Sequence, residues 1–288
     1  MIRLQRALAY VCSGLMFACH VHAADGVEFG YDARFMGDSN VGNATEGSDR
    51  EASFRSLGAL KLGYNRTVGE LKDLHFWARG GGEYFTNIDD LSNIFIQGHA
   101  DYTFATSTNF SAPVITLLAE VAGIDVRSDI RDSVNFILGA EIESRLNPKF
   151  KLGGGVLGLY NDAKSDVFTT SDVQVFLDTK YNILEQGALY GVFTYMYGDV
   201  TSTGTPTLPI IKASNAVTPD DAFGGLAENQ LAYRLVANTF ILQLGYNHFF
   251  SEHISLDVSL RGIYSIATEN SDLTYDRYQA IAKLSGSF

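Results

Sequence analysis

Residues 275–288 alternate between two kinds of side chain. Every second position counted back from the end is apolar, aromatic or glycine: Phe288, Gly286, Leu284, Ala282, Ala280 and Tyr278. The positions between them are mostly polar: Ser287, Ser285, Lys283, Ile281, Gln279 and Arg277. Because successive side chains of a β-strand point to opposite faces, the pattern predicts a strand with one face suited to lipid and one to water. Strands of soluble sandwiches alternate too, but they rarely end a chain on an aromatic residue.

The same alternation recurs along the chain in about twelve segments, each close to the roughly 9–11 residues of a tilted membrane-spanning strand. The segments are 27–36, 54–65, 74–85, 93–104, 114–124, 133–143, 150–160, 172–182, 189–197, 232–247, 254–266 and 275–288. Segment 189–197 is the least regular, because it has aromatic residues on both faces. We therefore predict an all-β fold, a transmembrane up-and-down antiparallel β-barrel of about 12 strands.

The connections between these segments sort by length. Those after even-numbered segments are mostly short, and those after odd-numbered segments are on average longer, with 201–229 the longest irregular stretch. Short periplasmic turns and long extracellular loops are typical of bacterial outer-membrane barrels. Tyrosines near the ends of even-numbered segments predict an aromatic girdle at the periplasmic interface: Tyr64, Tyr102, Tyr181 and Tyr246. We expect 201–229 either to constrict the mouth or to cover it.

The N-terminus predicts a secretory signal peptide over 1–23. Arg3 and Arg6 precede an apolar stretch over 7–18, and Ala23 is a small residue suited to cleavage. Residues 24–288 then form a single barrel domain. Both cysteines, Cys12 and Cys19, lie in the leader, so the mature chain has no disulfide and no thiolate site.

The terminal strand resembles the closing strand of Gram-negative outer-membrane β-barrels. The resemblance rests on Tyr278, Leu284 and the final Phe288. It implies that these residues form a signal read by the barrel assembly machinery. It also implies a location in the cell outer membrane, surrounded by lipid and lipopolysaccharide.

Residues 37–44 carry a second, shorter resemblance. Their Asp-Ser-Asn-Val core is similar to the start of several outer-membrane export barrels, including those of the surface lipoprotein assembly modifiers. This resemblance implies a lipoprotein-export accessory. Those modifiers usually add a helical-repeat domain and about two more strands, and this sequence shows neither.

The polar faces of the predicted strands define the candidate lumen. The formal net charge is −12, and most of the acidic excess falls in the longer loops, while the polar faces mix both signs. The predicted lumen-lining residues are Arg34, Arg55, Lys61, His75, Arg79, His99, Asp101, Glu120, Asp178, Lys180, Asp257, Arg261 and Lys283. This mixture predicts a narrow channel with a charge-balanced lumen. The acidity argues against nucleic-acid binding.

Several residues could carry other chemistry. His75 and His99, with Asp101 and Glu83 on the same face, could form a base or a metal site, but we favour a hydrogen-bonded network. Glu141 and Glu143 have the spacing of paired carboxylates, and repulsion relieved by a nearby base is the simpler interpretation. The triple glycines at 80–82 and 153–155 predict strand bends.

The acidic loops offer weak calcium or magnesium candidates, Asp125, Asp129 and Asp132. They lack the regular spacing of a calcium-binding loop, so a solvated acidic surface is the alternative we favour. No cofactor is predicted. Outer-membrane hydrolases need histidine sets that this chain lacks: His248 has no obvious serine partner, and no histidine lies in a predicted extracellular loop. We predict a channel for small solutes first, a surface-interaction or export barrel second, and a hydrolase last.

Overall fold

The computed structural model describes residues 26–288, and the predicted signal peptide over 1–23 lies outside the described residues. One antiparallel sheet contains every strand. The strands are β1 (Gly26–Asp38), β2 (Ser53–Gly69), β3 (Lys72–Phe85), β4 (Asn93–Ala105), β5 (Val114–Val126), β6 (Ser133–Arg145), β7 (Phe150–Ala163), β8 (Thr170–Leu184), β9 (Gly187–Gly204), β10 (Ala216–Pro219), β11 (Leu231–Phe249), β12 (Ile254–Ala267) and β13 (Thr274–Ser287). A short helix, α1, spans Leu208–Ala213. Within residues 26–288, no helix is long and apolar enough to cross a membrane.

Twelve of the strands close into a barrel. Each pairs with its neighbours in the chain, β9 pairs with β11, and β1 pairs with β13 to close the ring. The short β10 lies within the connection between β9 and β11 and pairs with the start of β11. The predicted fold class, an up-and-down antiparallel barrel of about 12 strands, is confirmed.

The two ends of the barrel differ. The connections at one end, which we call the turn end, are 70–71, 106–113, 146–149, 185–186 and 250–253. The opposite end, which we call the loop end, carries the two longest connections, 39–52 and 205–230. Tyr64 and Tyr181 project outward near the turn end.

The outer face is an apolar belt. Large exposed hydrophobic side chains occur on all twelve barrel strands, Leu60 (73% exposed) and Ile96 (70%) among them. In the irregular segment 189–197, Phe193 and Tyr197 also point outward. Tyr190 points inward and donates a hydrogen bond to Asp257 Oδ1 (2.8 Å). Apolar surface of this extent on a closed sheet is what hydrocarbon would cover.

The prediction for 201–229 was wrong at its start. Residues 201–204 belong to β9, whose pairing with β11 continues as far as Gly204 opposite Leu231. The longest irregular connection is therefore 205–230, which contains α1 and β10. The threonine- and serine-rich end of β9 suits an extended strand, and its polarity concealed this in the sequence.

Candidate functional site

The barrel interior is the candidate site, and its loop-end half is filled by apolar side chains. Residues of β2 to β5 supply Leu57, Ala59, Phe85, Phe95, Ile124 and Val126, and the loops supply Val41, Ile88, Leu91, Ala222 and Phe223. All of these side chains are buried. The connection 205–230 therefore folds into the mouth of the barrel, and we call this segment the cap.

A buried ion pair fastens the cap to the barrel rim. Arg131 Nη2 lies 2.5 Å from both carboxylate oxygens of Asp220, and the two side chains are 2% and 0% exposed. Thr203 Oγ1 donates to the same carboxylate (2.5 Å), and the Arg131 guanidinium lies 4.0 Å from the centre of the Phe168 ring. This pair could not be predicted from the sequence, because both residues lie in loops and no local spacing relates them.

Residues 37–44 also fold inward. Asn40 and Val41 are 1% exposed, and the Asn40 amide donates to the Ala44 carbonyl (2.9 Å) and accepts from the Ala44 N–H (2.8 Å). Asp38 accepts hydrogen bonds from Arg277 Nε (2.7 Å) and Gln279 Nε2 (2.8 Å). The residues behind the export-barrel resemblance thus shape and fasten a turn.

Paired charges lie beside the apolar cluster, since Arg55 is opposite Phe85 and Glu83 is opposite Leu57. Glu83 Oε1 is 3.1 Å from Arg55 Nη1 and 3.4 Å from Arg34 Nη2. Arg261 donates from Nε (2.8 Å) and Nη2 (2.6 Å) to Gln243 Oε1. Glu83 therefore neutralises arginines and takes no part in the histidine cluster with which the sequence associated it.

The turn-end half of the interior is polar, and its charged side chains are mostly buried: Asp32, Arg79 and Lys283 are 15%, 10% and 13% exposed. On one wall, Asp32 lies 3.1 Å from Lys283 Nζ and 3.3 Å from Arg79 Nη2, and Lys61 Nζ lies 5.3 Å from the centre of the Trp77 ring. Lys180 lies near the turn end, 5.6 Å from the centre of the Phe249 ring.

The two histidines join a chain of acid and base groups. Asp101 Oδ2 lies 3.0 Å from His75 Nδ1 and 3.2 Å from His99 Nε2, and His99 Nδ1 lies 3.3 Å from Glu120 Oε2. The Trp77 ring stacks on His99 with 4.7 Å between centroids. This is the hydrogen-bonded network favoured from the sequence, and each histidine hydrogen-bonds a carboxylate.

The wall formed by β6 to β8 carries a third group of charges. Glu141 and Glu143 on β6 and Asp178 on β8 flank Gly153 of β7, which faces inward. Lys151 Nζ binds Glu143 Oε1 (2.8 Å). Asp178 is 6% exposed, and its Oδ1 makes no hydrogen bond with any of residues 26–288.

The structure does not gather the proposed metal ligands. Asp132 Oδ1 accepts the Val126 N–H (2.8 Å), and its Oδ2 lies 2.7 Å from Lys164 Nζ. Among residues 26–288, no group of three or more His, Cys, Asp or Glu side chains is arranged to hold a metal ion. Asp125 and Asp129 remain acidic residues of the loop end.

The residues of the predicted assembly signal lie on the outer face of β13. Tyr278 and Phe288 are exposed, and Leu284 is half-buried. The Phe288 ring stacks on Tyr31 of β1, with centroids 6.3 Å apart. Recognition of these residues by an assembly machinery stays a prediction.

Fold and interior together define a transmembrane β-barrel with a polar, capped lumen. Its fold is similar to that of an outer membrane channel from Pseudomonas putida F1, with a TM-score of 0.61, 11% sequence identity and coverage of 93% of this chain and 97% of that chain. More distant structures include the KdgM porin in complex with disordered oligogalacturonate (TM-score 0.46, 7% identity, 90% and 99% coverage). Another is the translocator domain of the autotransporter NalP from Neisseria meningitidis (TM-score 0.47, 12% identity, 99% and 95% coverage).

The similarity to the Pseudomonas putida channel describes a shared fold. No protein-family model matches the chain, and a comparison with curated proteins gives no match.

Proposed function

We propose that this chain is an outer-membrane channel for small polar solutes, with its loop end outside the cell and the cap as its gate. The observation that carries the proposal is that loop residues help to block the loop-end half of the lumen. Five of the eleven buried residues of the apolar cluster in the loop-end half come from loops, Val41, Ala222 and Phe223 among them. Displacing these loops would connect the outside to the polar interior.

The barrel size agrees with this function. Eight strands leave an interior that side chains just fill, and sixteen or more leave a wide aqueous channel. Twelve strands fall between these two cases, so a narrow path is the expectation for this barrel. The outward apolar belt and the short turns at one end support placement in an outer membrane.

Planar-bilayer recordings test the proposal. The mature protein is expected to give small, fluctuating conductance, and a variant with 206–229 replaced by a short Gly-Ser linker a larger and steadier one. Leu226→Ser is the matched control, because Leu226 lies in the cap but is exposed. Bilayers that stay sealed with both the wild type and the linker variant, at all voltages and solutes, would overturn the proposal.

A second candidate, a surface-interaction barrel, is favoured by the outside of the cap. Leu208, Ile211, Val217 and Leu226 expose apolar side chains there. A photo-crosslinking residue at Leu226 is expected to capture a discrete cell-surface partner in living cells, and the absence of a crosslinked product would remove this candidate. A hydrolase is not favoured, because His248 contacts Tyr246 and Phe250 and hydrogen-bonds no serine among residues 26–288.

A further inference from the structure

The inner wall formed by β6, β7 and β8 contains a hollow with a glycine floor. Gly153 of β7 faces inward and lies opposite Glu143 on one side and Asp178 on the other. One step toward the loop end, Gly155 lies opposite Glu141. Because Gly153 has no side chain, Glu143 and Asp178 face each other across it, whereas the Phe176 ring covers Gly155.

The Asp178 carboxylate points over this floor. A Cβ placed on Gly153 would collide with Asp178 Oδ1, so the carboxylate occupies the position that a side chain on β7 would take. Glu141 lies within electrostatic range of Asp178, Glu143 and Asp101. The three carboxylates Glu141, Glu143 and Asp178 therefore lie within electrostatic range of one another.

These carboxylates are incompletely neutralised. Lys151 forms its salt bridge with Glu143, while Glu141 and Asp178 form neither a hydrogen bond nor a salt bridge with any of residues 26–288. Lys151 also attracts Asp178 at longer range. The neighbouring Asp101 and Glu120 have partners, since Asp101 lies 3.0 Å from His75 Nδ1 and Glu120 lies 3.3 Å from His99 Nδ1. Leaving a buried carboxylate unpaired is costly, so a site that keeps one is suited to an external cation.

The hollow suits an organic cation better than a metal ion. No set of three or more acidic or histidine ligands is arranged for a metal within residues 26–288. An ammonium group has three N–H donors and needs only carboxylate acceptors around it.

We propose that Asp178 and Glu141, above Gly153, bind the ammonium group of a permeating solute, so that the channel selects small organic amines. This inference rests on the proposed channel function. In the proposed complex the amine donates hydrogen bonds to Asp178 Oδ1 and to the Glu141 carboxylate. Lys151 neutralises Glu143, so that Glu141 and Asp178 remain as acceptors for the amine.

Binding can be measured without conduction. Trp77 is the sole tryptophan of the chain and stacks on His99 within the same half of the lumen. Its fluorescence in the detergent-solubilised mature protein is expected to titrate with ethylammonium chloride and not with sodium chloride. The Glu141→Gln/Asp178→Asn variant is expected to raise the Kd for ethylammonium at least about tenfold.

Two control pairs separate the site from general effects. Asp172→Asn removes another inward carboxylate from β8, the strand that carries Asp178. Asp172 accepts a hydrogen bond from Gln174 (2.9 Å) and lies away from the hollow, so this substitution should not change amine binding. Gly153→Ala should weaken binding with every charge retained. Gly158→Ala, on the outer face of β7 with no atom within 4 Å of the added Cβ, should have no effect.

Reversal potentials in an ethylammonium gradient complete the test. The wild type should prefer ethylammonium over chloride, and Glu141→Gln/Asp178→Asn should lose that preference. Unchanged binding in the double variant would overturn the site, whether or not the protein conducts. Amine binding in a protein that never conducts would overturn the channel function and leave the site standing.

Discussion

Carboxylates in the barrel interior differ in how they are neutralised. Asp32 and Asp38 bind basic residues of neighbouring strands, and Asp220 binds Arg131 from a different loop. Asp178 and Glu141 have no such bonds within residues 26–288. The first kind fixes structure, because removing either partner would leave an uncompensated buried charge.

The Arg131–Asp220 pair is expected to be the most sensitive point of the cap. Asp220→Asn leaves Arg131 buried without its counter-charge, which should lower the free energy of unfolding by about 3–5 kcal/mol. The variant should also conduct more, because the cap loses its fastening. Heat-modifiability on gels and bilayer conductance measure the two effects.

The Arg127–Asp89 pair is the matched control. Its side chains are 55% and 51% exposed. Solvent screens such a pair, so Asp89→Asn should cost no more than about 1 kcal/mol. Equal effects of Asp89→Asn and Asp220→Asn would contradict the role given to the buried pair.

Among the elements, β9 shows a local irregularity with a clear cause. Gly198 has φ +151°, and a Cβ there would collide with the backbone of Ser171 and Asp172 on β8. Beyond this point β9 continues to Gly204 and holds the base of the cap. The glycine thus allows the strand to reorient where it leaves the regular wall.

Gly198→Ala is expected to destabilise the barrel by about 1–3 kcal/mol, since it combines a strained backbone conformation with a steric clash. Gly58→Ala serves as the control, because Gly58 faces outward with no atom within 4 Å of an added Cβ. Thermal unfolding followed by circular dichroism distinguishes the two variants, and equal melting temperatures would refute the account of β9.

The strand β13 closes the barrel by pairing with β1, the first strand of the described chain. Phe288 exchanges two backbone hydrogen bonds with Phe29 (2.9 and 2.7 Å), and its ring lies against Tyr31 and His253. Phe288→Ala is therefore expected to reduce the yield of protein assembled in the membrane while leaving the lumen unchanged. Membrane yield by immunoblot is the measurement.

Phe110→Ala provides the comparison for that variant. Phe110 is similarly exposed but lies in the turn 106–113, away from the closing strand. Wild-type yields for Phe288→Ala, or an equal loss for Phe110→Ala, would count against the interpretation of β13.

Strand identity was readable from the sequence because period-two alternation is local. For example, the apolar Leu60 and the charged Lys61 are adjacent in sequence, and their chemistry alone assigns them to the outer and inner faces of β2. The cap was not readable, since the partners Arg131 and Asp220 lie far apart in sequence and only the closed barrel brings them together. The hollow at Gly153 was not readable either. The glycines indicated only a bend, because the position of Asp178 over Gly153 is set by the register of β6, β7 and β8.

At the scale of the whole molecule, the closed ring satisfies the backbone hydrogen bonds of its strands. A closed barrel has no free edge for detergent or another chain to pair with. The mature protein is therefore expected to resist sodium dodecyl sulfate at room temperature and to migrate differently after boiling. Identical migration of heated and unheated samples would argue against a closed ring.

The pairing of β1 with β13 also sets an order of events. Gly30 lies opposite Ser287, so the contact that seals the ring joins segments from opposite ends of the described chain. A ribosome or a translocation pore releases the chain in sequence, and no partial product can complete this seam. Every intermediate that lacks Thr274–Ser287 keeps β1 and β12 as unpaired edge strands, which could pair with another polypeptide chain. The chain must therefore be kept apart from its neighbours until the whole of it has been delivered.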